Sequence, residues 1–334
     1  FCWEHQVLVP ACQTLHSSIH SRVSGHKKGT QQHHMPVVSA IELAEVKLNI
    51  GDMIGYKLLQ HYGMQKSVAV RRIGLSAVSY QRDTYRSVFC GDFEVHNAVG
   101  IVGSILQWIE TVELDSSGLN ITVIGLGYIE ASNEMSSCGH ITYKGVRGPL
   151  TQDIVRSRCG QVPAIISDPG LLISRLFVLP TVRHQHQRDV GFVIHESDRE
   201  KFFSLFPHYR EYLIDNHNGD MQLFVQQMSM YKRVVSSSLH GIVFSHAYSI
   251  PVCAIKVDSR IIGGEFKYRD YYHSIGYTQY TRRLSLEEIG DFSLSGFSAI
   301  VDNCWRPDRI KIERVKSMQE SMIMDYFENY HDAY

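Results

Sequence analysis

From about residue 36 onward, short apolar runs that stop at glycine or a polar turn alternate with longer stretches whose apolar residues recur at helical spacing. Runs of the first kind read as buried strands and those of the second as helices, and their alternation is the pattern of a parallel α/β sheet. In the first half the strand candidates are Ser67–Val70, Ser87–Cys90, Ile101–Gly103 and Ile121–Gly125, with a helix over Met53–Tyr62. Pro149, suited to a first helical turn, opens a helix whose face is Leu150, Ile154 and Val155, and Cys159-Gly160 closes it. Ala164–Asp168 is a strand running into a Pro-Gly turn. In the second half Val190–His195 and Val252–Val257 are strands, Met221, Phe224, Val225 and Met228 form one helix face, and Arg309 to Phe327 is a long terminal helix. The rhythm repeats, so the expected fold is α/β with two domains facing a cleft: residues 36–180, and 181–334 with the terminal helix packing across both.

Length and charge support this division and narrow the function. A chain of 334 residues exceeds the size at which single cores stop growing. Its 33 Lys+Arg against 34 Asp+Glu leave no field for general nucleic-acid binding, so any anion site is local. The longest mainly apolar stretch, Ala98 to Ile109, is short of the ~20 residues that span a bilayer. The seven cysteines are odd in number and scattered without a C-x-x-C pair, a pattern that reads as reduced thiols in a cytoplasmic protein. No metal-ligand spacing is present. Residues 1–35 hold six of the eighteen histidines without helical or strand period and form an N-terminal extension of unassigned role.

The most informative stretch is Val234–Phe244, in which an apolar run stops at Ser236-Ser237-Ser238, passes Leu239-His240-Gly241 and resumes with helical spacing. At such a strand-to-helix turn the first backbone N–H groups point outward together, and the serine hydroxyls and His240 add donors, so the turn is a seat for a phosphate or carboxylate. Arg147, just before the helix opened by Pro149, is badly placed for that helix dipole and is expected to meet an anion or a neighbouring carboxylate. Gly125 and Gly127 flank a turn at a strand's carboxyl end, where ligands of parallel sheets collect or the backbone simply turns tightly. The Tyr-rich segment Gly263 to Tyr272 reads as a loop that carries Lys267 and Asp270.

Six motifs in order resemble the polysaccharide pyruvyltransferase family: Asn49-Ile50-Gly51-Asp52, Val146–Thr151, Ser167-Asp168-Pro169, Ile194-His195 with Asp198, Ser237–Gly241, and Gly263–Tyr272. The resemblance covers roughly residues 40–280. It implies two Rossmann-like domains in a GT-B-like arrangement and a ketal pyruvyltransferase, which moves pyruvate from phosphoenolpyruvate onto two hydroxyls of a sugar and releases phosphate. The implied partners are phosphoenolpyruvate and a glycan acceptor such as a lipid-linked or nucleotide-linked precursor of exopolysaccharide or capsule. No cofactor, metal, nucleic acid or membrane span is called for. Ser238 stands where many members carry arginine, which shifts phosphate contacts toward Arg147 and Lys267, and Val193-Ile194 precede His195 where members usually carry Ile-Pro.

The chemistry needs fixed donors for a phosphate and a carboxylate, for which Arg147, Lys267, His195, Asn49, Gly125 and the Ser237, Ser238, Leu239, His240 turn are the binding candidates. It also needs an acid for the enol methylene carbon and a base for the sugar hydroxyl. The catalytic candidates are His240 and Asp52, with Arg147, and the residues leave open which of His240 and Asp52 is the acid. A GT-B glycosyltransferase using a nucleotide sugar, and a non-catalytic glycan-binding protein, are the alternatives.

Overall fold

A computed structural model of the chain describes residues 36–43, 49–81, 84–90, 97–110, 120–131, 138–179, 188–258 and 261–331. The 1–35 extension lies outside them. The first half contains β1 (Val37–Leu43), α1 (Ile50–Gln65), β2 (Ala69–Gln81), β3 (Thr84–Cys90), β4 (Asn97–Gly100), α2 (Leu106–Glu110), β5 (Asn120–Leu126), β6 (Ile141–Val146), α3 (Pro149–Cys159), β7 (Ala164–Ile165) and α4 (Ile173–Leu176). The second contains β8 (Arg188–Val193), α5 (Glu196–Leu205), α6 (Met221–Ser229), β9 (Tyr231–Ser236), α7 (Leu239–Ala247), β10 (Val252–Lys256), α8 (Phe266–Ser274), β11 (Leu284–Ser285), α9 (Leu286–Ile289), α10 (Leu294–Asn303) and α11 (Arg309–His331).

The strands form two sheets, seven-stranded in the order β3-β2-β1-β4-β5-β6-β7 and four-stranded in the order β11-β10-β9-β8. Pairing is parallel throughout except for β2 with β3. The expectation of an all-parallel sheet therefore fails at that edge, because so short a connection between β2 and β3 cannot make the crossover that parallel neighbours need. The expected strand at Ile101–Gly103 is displaced: β4 ends at Gly100, and Gly103, with φ 125°, turns the chain beyond it. In the first sheet the chain runs outward from β1 through β2 and β3, then restarts on the other side at β4. This switch point puts a crevice at the carboxyl ends of β1 and β4, where α1 begins.

Both sheets contribute to one continuous cluster of buried side chains, from Val38, Leu58 and Val99 to Val234, Ile242 and Phe244. Separate clusters cover the outer faces, and in the second half Phe192 packs on Phe202, Tyr209 and Phe297 with ring centroids 4.9–5.3 Å apart. The terminal helix crosses between the halves as its sequence suggests. Lys316 donates to Ala247 O at the end of α7, Gln319 to Ile166 O beyond β7, and Tyr330 to Val37 O at the start of β1. Two cysteines depart from the reduced-thiol expectation: Cys138 and Cys159 are joined, their Cα atoms 5.7 Å apart. The helix α3 folds back along β6, which brings its last residue beside the residues that precede that strand. Among the described residues no helix is long and apolar enough to cross a membrane.

Candidate active site

The candidate groups sit at the carboxyl ends of the parallel strands: Asp52 after β1, Arg147 after β6, Asp168 after β7, His195 after β8, and Ser237 to His240 after β9. Lys267, in the first turn of α8, closes the set. The segment expected as a loop is helical from Phe266, because the turn is confined to Gly263 and Gly264, with φ 78° and 53°. Tyr268, Tyr271 and Tyr272, spaced along one helix face, are buried in the core.

At the Ser-Ser-Ser turn, Ser236 Oγ holds the geometry by bonding Val193 O and Ser238 O at 2.9 Å each and accepting from Ser238 N at 3.0 Å. Ser237 Oγ accepts from His195 N at 3.0 Å, and Tyr268 donates to Ser237 O at 2.7 Å. These bonds tie β8, β9 and α8 together at one point. Ser238 caps α7 without a side-chain hydrogen bond. The first N–H groups of the helix, on Leu239, His240 and Gly241, have no partner among the described residues, as expected of a helix start whose cap does not reach them.

Around that terminus stand charged groups with displaced proton affinities. Asp52 is raised by burial and drawn back by the charges of His240, Lys267 and His217 and by a bond from Asn49. Asn49 also caps α1, accepting from Gly51 N at 3.0 Å. Lys267 is lowered to about 8, first by burial and then by Arg147 and Arg283, against the pull of Asp52 and Asp198. It is 8% exposed, and its ammonium makes no hydrogen bond or ion pair among the described residues. His195 is lowered to about 3 by burial, then by Lys267, His217, Arg283 and His240. It is therefore neutral, with Nδ1 turned to Ser197. His240 lies over the N-terminus of α1, where a Cβ on Gly51 would collide with its ring.

Two site candidates are engaged internally. Arg147 is fully buried and meets an anion, but that anion is Asp270: Nε bonds Asp270 Oδ2 at 3.1 Å, Nη1 bonds Ser104 Oγ at 2.5 Å and Nη2 bonds Tyr128 O at 2.7 Å. Asp270 also takes Thr151 N at 3.0 Å and Thr151 Oγ1 at 2.6 Å, so it fills the N-terminus of α3. Gly125, with φ 96°, is approached by the Pro169 ring. Gly127 is approached by the Arg147 guanidinium. Arg147 still reaches Lys267 electrostatically. Sequence reasoning gave no role to Asp168, His217, Arg283 or Asp270. Asp168 and Asp270 lay inside motifs already singled out, whereas His217 and Arg283 carried no local signal.

Among the described residues the one close group of metal-ligand atoms is Glu110, Cys138 and Cys159, and two of these are joined to each other.

The fold is thus that of a Rossmann-like α/β protein, with the uncapped N-terminus of α7 close enough to Asp52, Lys267, His195 and His240 for their charges to act on one another. Residues 139–259, from the approach to β6 past the end of β10, match the family model for polysaccharide pyruvyl transferases. The match spans Arg147, Asp168, His195 and the Ser237–His240 turn. The chain is also 28% identical over 236 residues to an uncharacterized protein of Acanthamoeba polyphaga mimivirus, covering 64% of this chain and 79% of that protein.

Proposed function

We propose that the protein transfers pyruvate from phosphoenolpyruvate to two hydroxyls of one sugar in a polysaccharide or its precursor, forming a cyclic ketal and releasing phosphate. The observation that carries this reading is the convergence of the open α7 N-terminus, the unbonded Lys267 ammonium and the Asp52–His240 pair. The helix N–H groups and Lys267 suit the donor's phosphate and carboxylate. Asp52, whose proton is held more tightly than an ordinary carboxyl's, suits the acid that protonates the enol methylene carbon. A sugar oxygen then bonds the central carbon as its proton leaves, phosphate departs with the former enol oxygen, and the second hydroxyl closes the ketal as its proton returns to Asp52. His195, neutral beside these cations, suits a hydrogen bond to an acceptor hydroxyl. Arg147 acts from behind, as part of the field on Lys267.

The reading includes a GT-B-like arrangement in which residues 36–180 and 181–334 supply the two walls of the site, and a cytoplasmic setting for the donor. The test is phosphate release from phosphoenolpyruvate across a panel of glycans and lipid-linked or nucleotide-linked sugars, with the product identified as a ketal by mass and NMR. Ketal formation that disappears in His240→Ala supports it. Release of nucleotide from a nucleotide sugar, with phosphoenolpyruvate inert, replaces it with glycosyl transfer.

A further inference from the structure

His240 is held on three sides. Its ring lies against Phe244 one turn along α7, centroids 5.6 Å apart and planes 24° from parallel. Nδ1 rests over Gly51. Nε2 is 3.9 Å from Asp168 Oδ2. Nε2 and Oδ2 are both buried and neither has a hydrogen-bond partner. Two complementary orphans at that separation are one small ring rotation from a hydrogen bond, and leaving both unmade costs each its desolvation.

Asp168 is built to present that oxygen. It is fully buried, its Oδ1 is occupied by Gly170 N at 2.8 Å, and the 3-10 turn Pro169–Leu172 that it caps is packed against α7. The preceding residue, Ser167, takes φ 64°, a conformation a serine adopts at a cost. Only Oδ2 remains, and it faces the imidazole.

We infer that Asp168 is a positioning residue that holds His240 in the Nε2–H tautomer, leaving the Nδ1 lone pair as the base toward the sugar hydroxyl. An ionised carboxylate only accepts, so Nε2 must carry the proton. The other nitrogen is then the acceptor, and it lies on the side of α1 where Asp52 stands. In the transfer, the hydroxyl proton passes to Nδ1 as the sugar oxygen bonds the central carbon, and Asp168 stabilises the imidazolium until that proton leaves with phosphate. This divides the two candidates: His240 is the base and Asp52 the acid. The base role rests on the pyruvyl-transfer reading, whereas the tautomer does not.

The experiment is nitrogen-15 NMR of the full chain labelled at histidine, with the His240 signals assigned by their loss in His240→Gln. The wild type is expected to show His240 protonated at Nε2. In Asp168→Asn the amide oxygen keeps Gly170 N and the amide N–H faces Nε2, so the proton moves to Nδ1. With donor and acceptor, Asp168→Asn is expected to lower kcat by about 10²-fold or more at unchanged KM for phosphoenolpyruvate. Combined with His240→Ala it adds little further loss. A wild-type His240 protonated at Nδ1, or signals unmoved by Asp168→Asn, would overturn the assignment. A wild type that forms no ketal removes the transfer reading and the base role with it, while the spectrum still decides what Asp168 does.

Discussion

The N-termini of α3 and α7 begin alike, each where a parallel strand leaves its sheet and turns into a helix, yet they end in opposite states. At α3 the Thr151 N–H and hydroxyl are taken by Asp270, which reaches across from α8 and brings Arg147 as its counterion. At α7 the Ser238 cap leaves its helix unbonded, and although Asp52 and Asp168 stand nearby, neither is hydrogen-bonded to the helix N–H groups, and the Lys267 ammonium is left without a bonded carboxylate among the described residues. The helix dipole favours an anion at each of these two N-termini. What separates a structural terminus from a candidate binding terminus is whether the protein supplies that anion itself.

The sharpest way to break the comparison is Asp270→Ala. It leaves Arg147 charged and buried without its carboxylate and uncaps α3, with an expected loss of about 3–5 kcal/mol in denaturant unfolding. A loss below ~1 kcal/mol would mean that the Arg147–Asp270 pair does not hold this terminus.

Glycine substitutions separate the two ends next. In Gly51→Ala the new Cβ displaces the His240 ring, and kcat is expected to fall about 10²-fold with the fold intact. In Gly148→Ala the Cβ meets the Asp270 backbone oxygen, so stability suffers instead. Circular dichroism melts run beside the phosphate-release assay distinguish them.

Lys267 gives the third test. Its proton affinity is lowered to about 8, so the charged form destabilises the fold below that pH, and the strain is relieved as pH rises through it. Lys267→Met is therefore expected to stabilise the protein at pH 7 by about 2 kcal/mol while weakening phosphoenolpyruvate binding. In the wild type, affinity for phosphoenolpyruvate falls as pH rises above 8 and the ammonium deprotonates, which calorimetry at a series of pH values would follow. Affinity that is flat from pH 7 to 10 would remove Lys267 from the donor site.

The smallest effect is expected at Ser238→Ala. An N-cap replacement ordinarily costs about 1 kcal/mol, but this cap makes no side-chain bond, so the change should stay within ~0.5 kcal/mol. A larger loss in melting experiments would show that the hydroxyl is engaged at α7 after all.

Features set by neighbours a few residues apart were legible in the chain. The limits of α3, from Pro149 to the left-handed Gly160, follow from the missing N–H of proline and the freedom of glycine. The start of α7 at Leu239, the strands β5, β8 and β10, and the run of α11 follow from hydrophobic period. Even α8 left a trace, in the helical spacing of Tyr268, Tyr271 and Tyr272, which the glycine pair before it obscured.

Tertiary structure decided the partners. That Arg147 needs an anion follows from its place before a helix; that the anion is Asp270 depends on α8 crossing α3. That His240 sits at a helix start is local, whereas its contact with Asp168 and its seat over Gly51 join three segments far apart in the chain. Cys138 meets Cys159 only because α3 doubles back on β6. A periodic pattern records which face of an element is buried, and carries no information on which distant side chain will be buried against it.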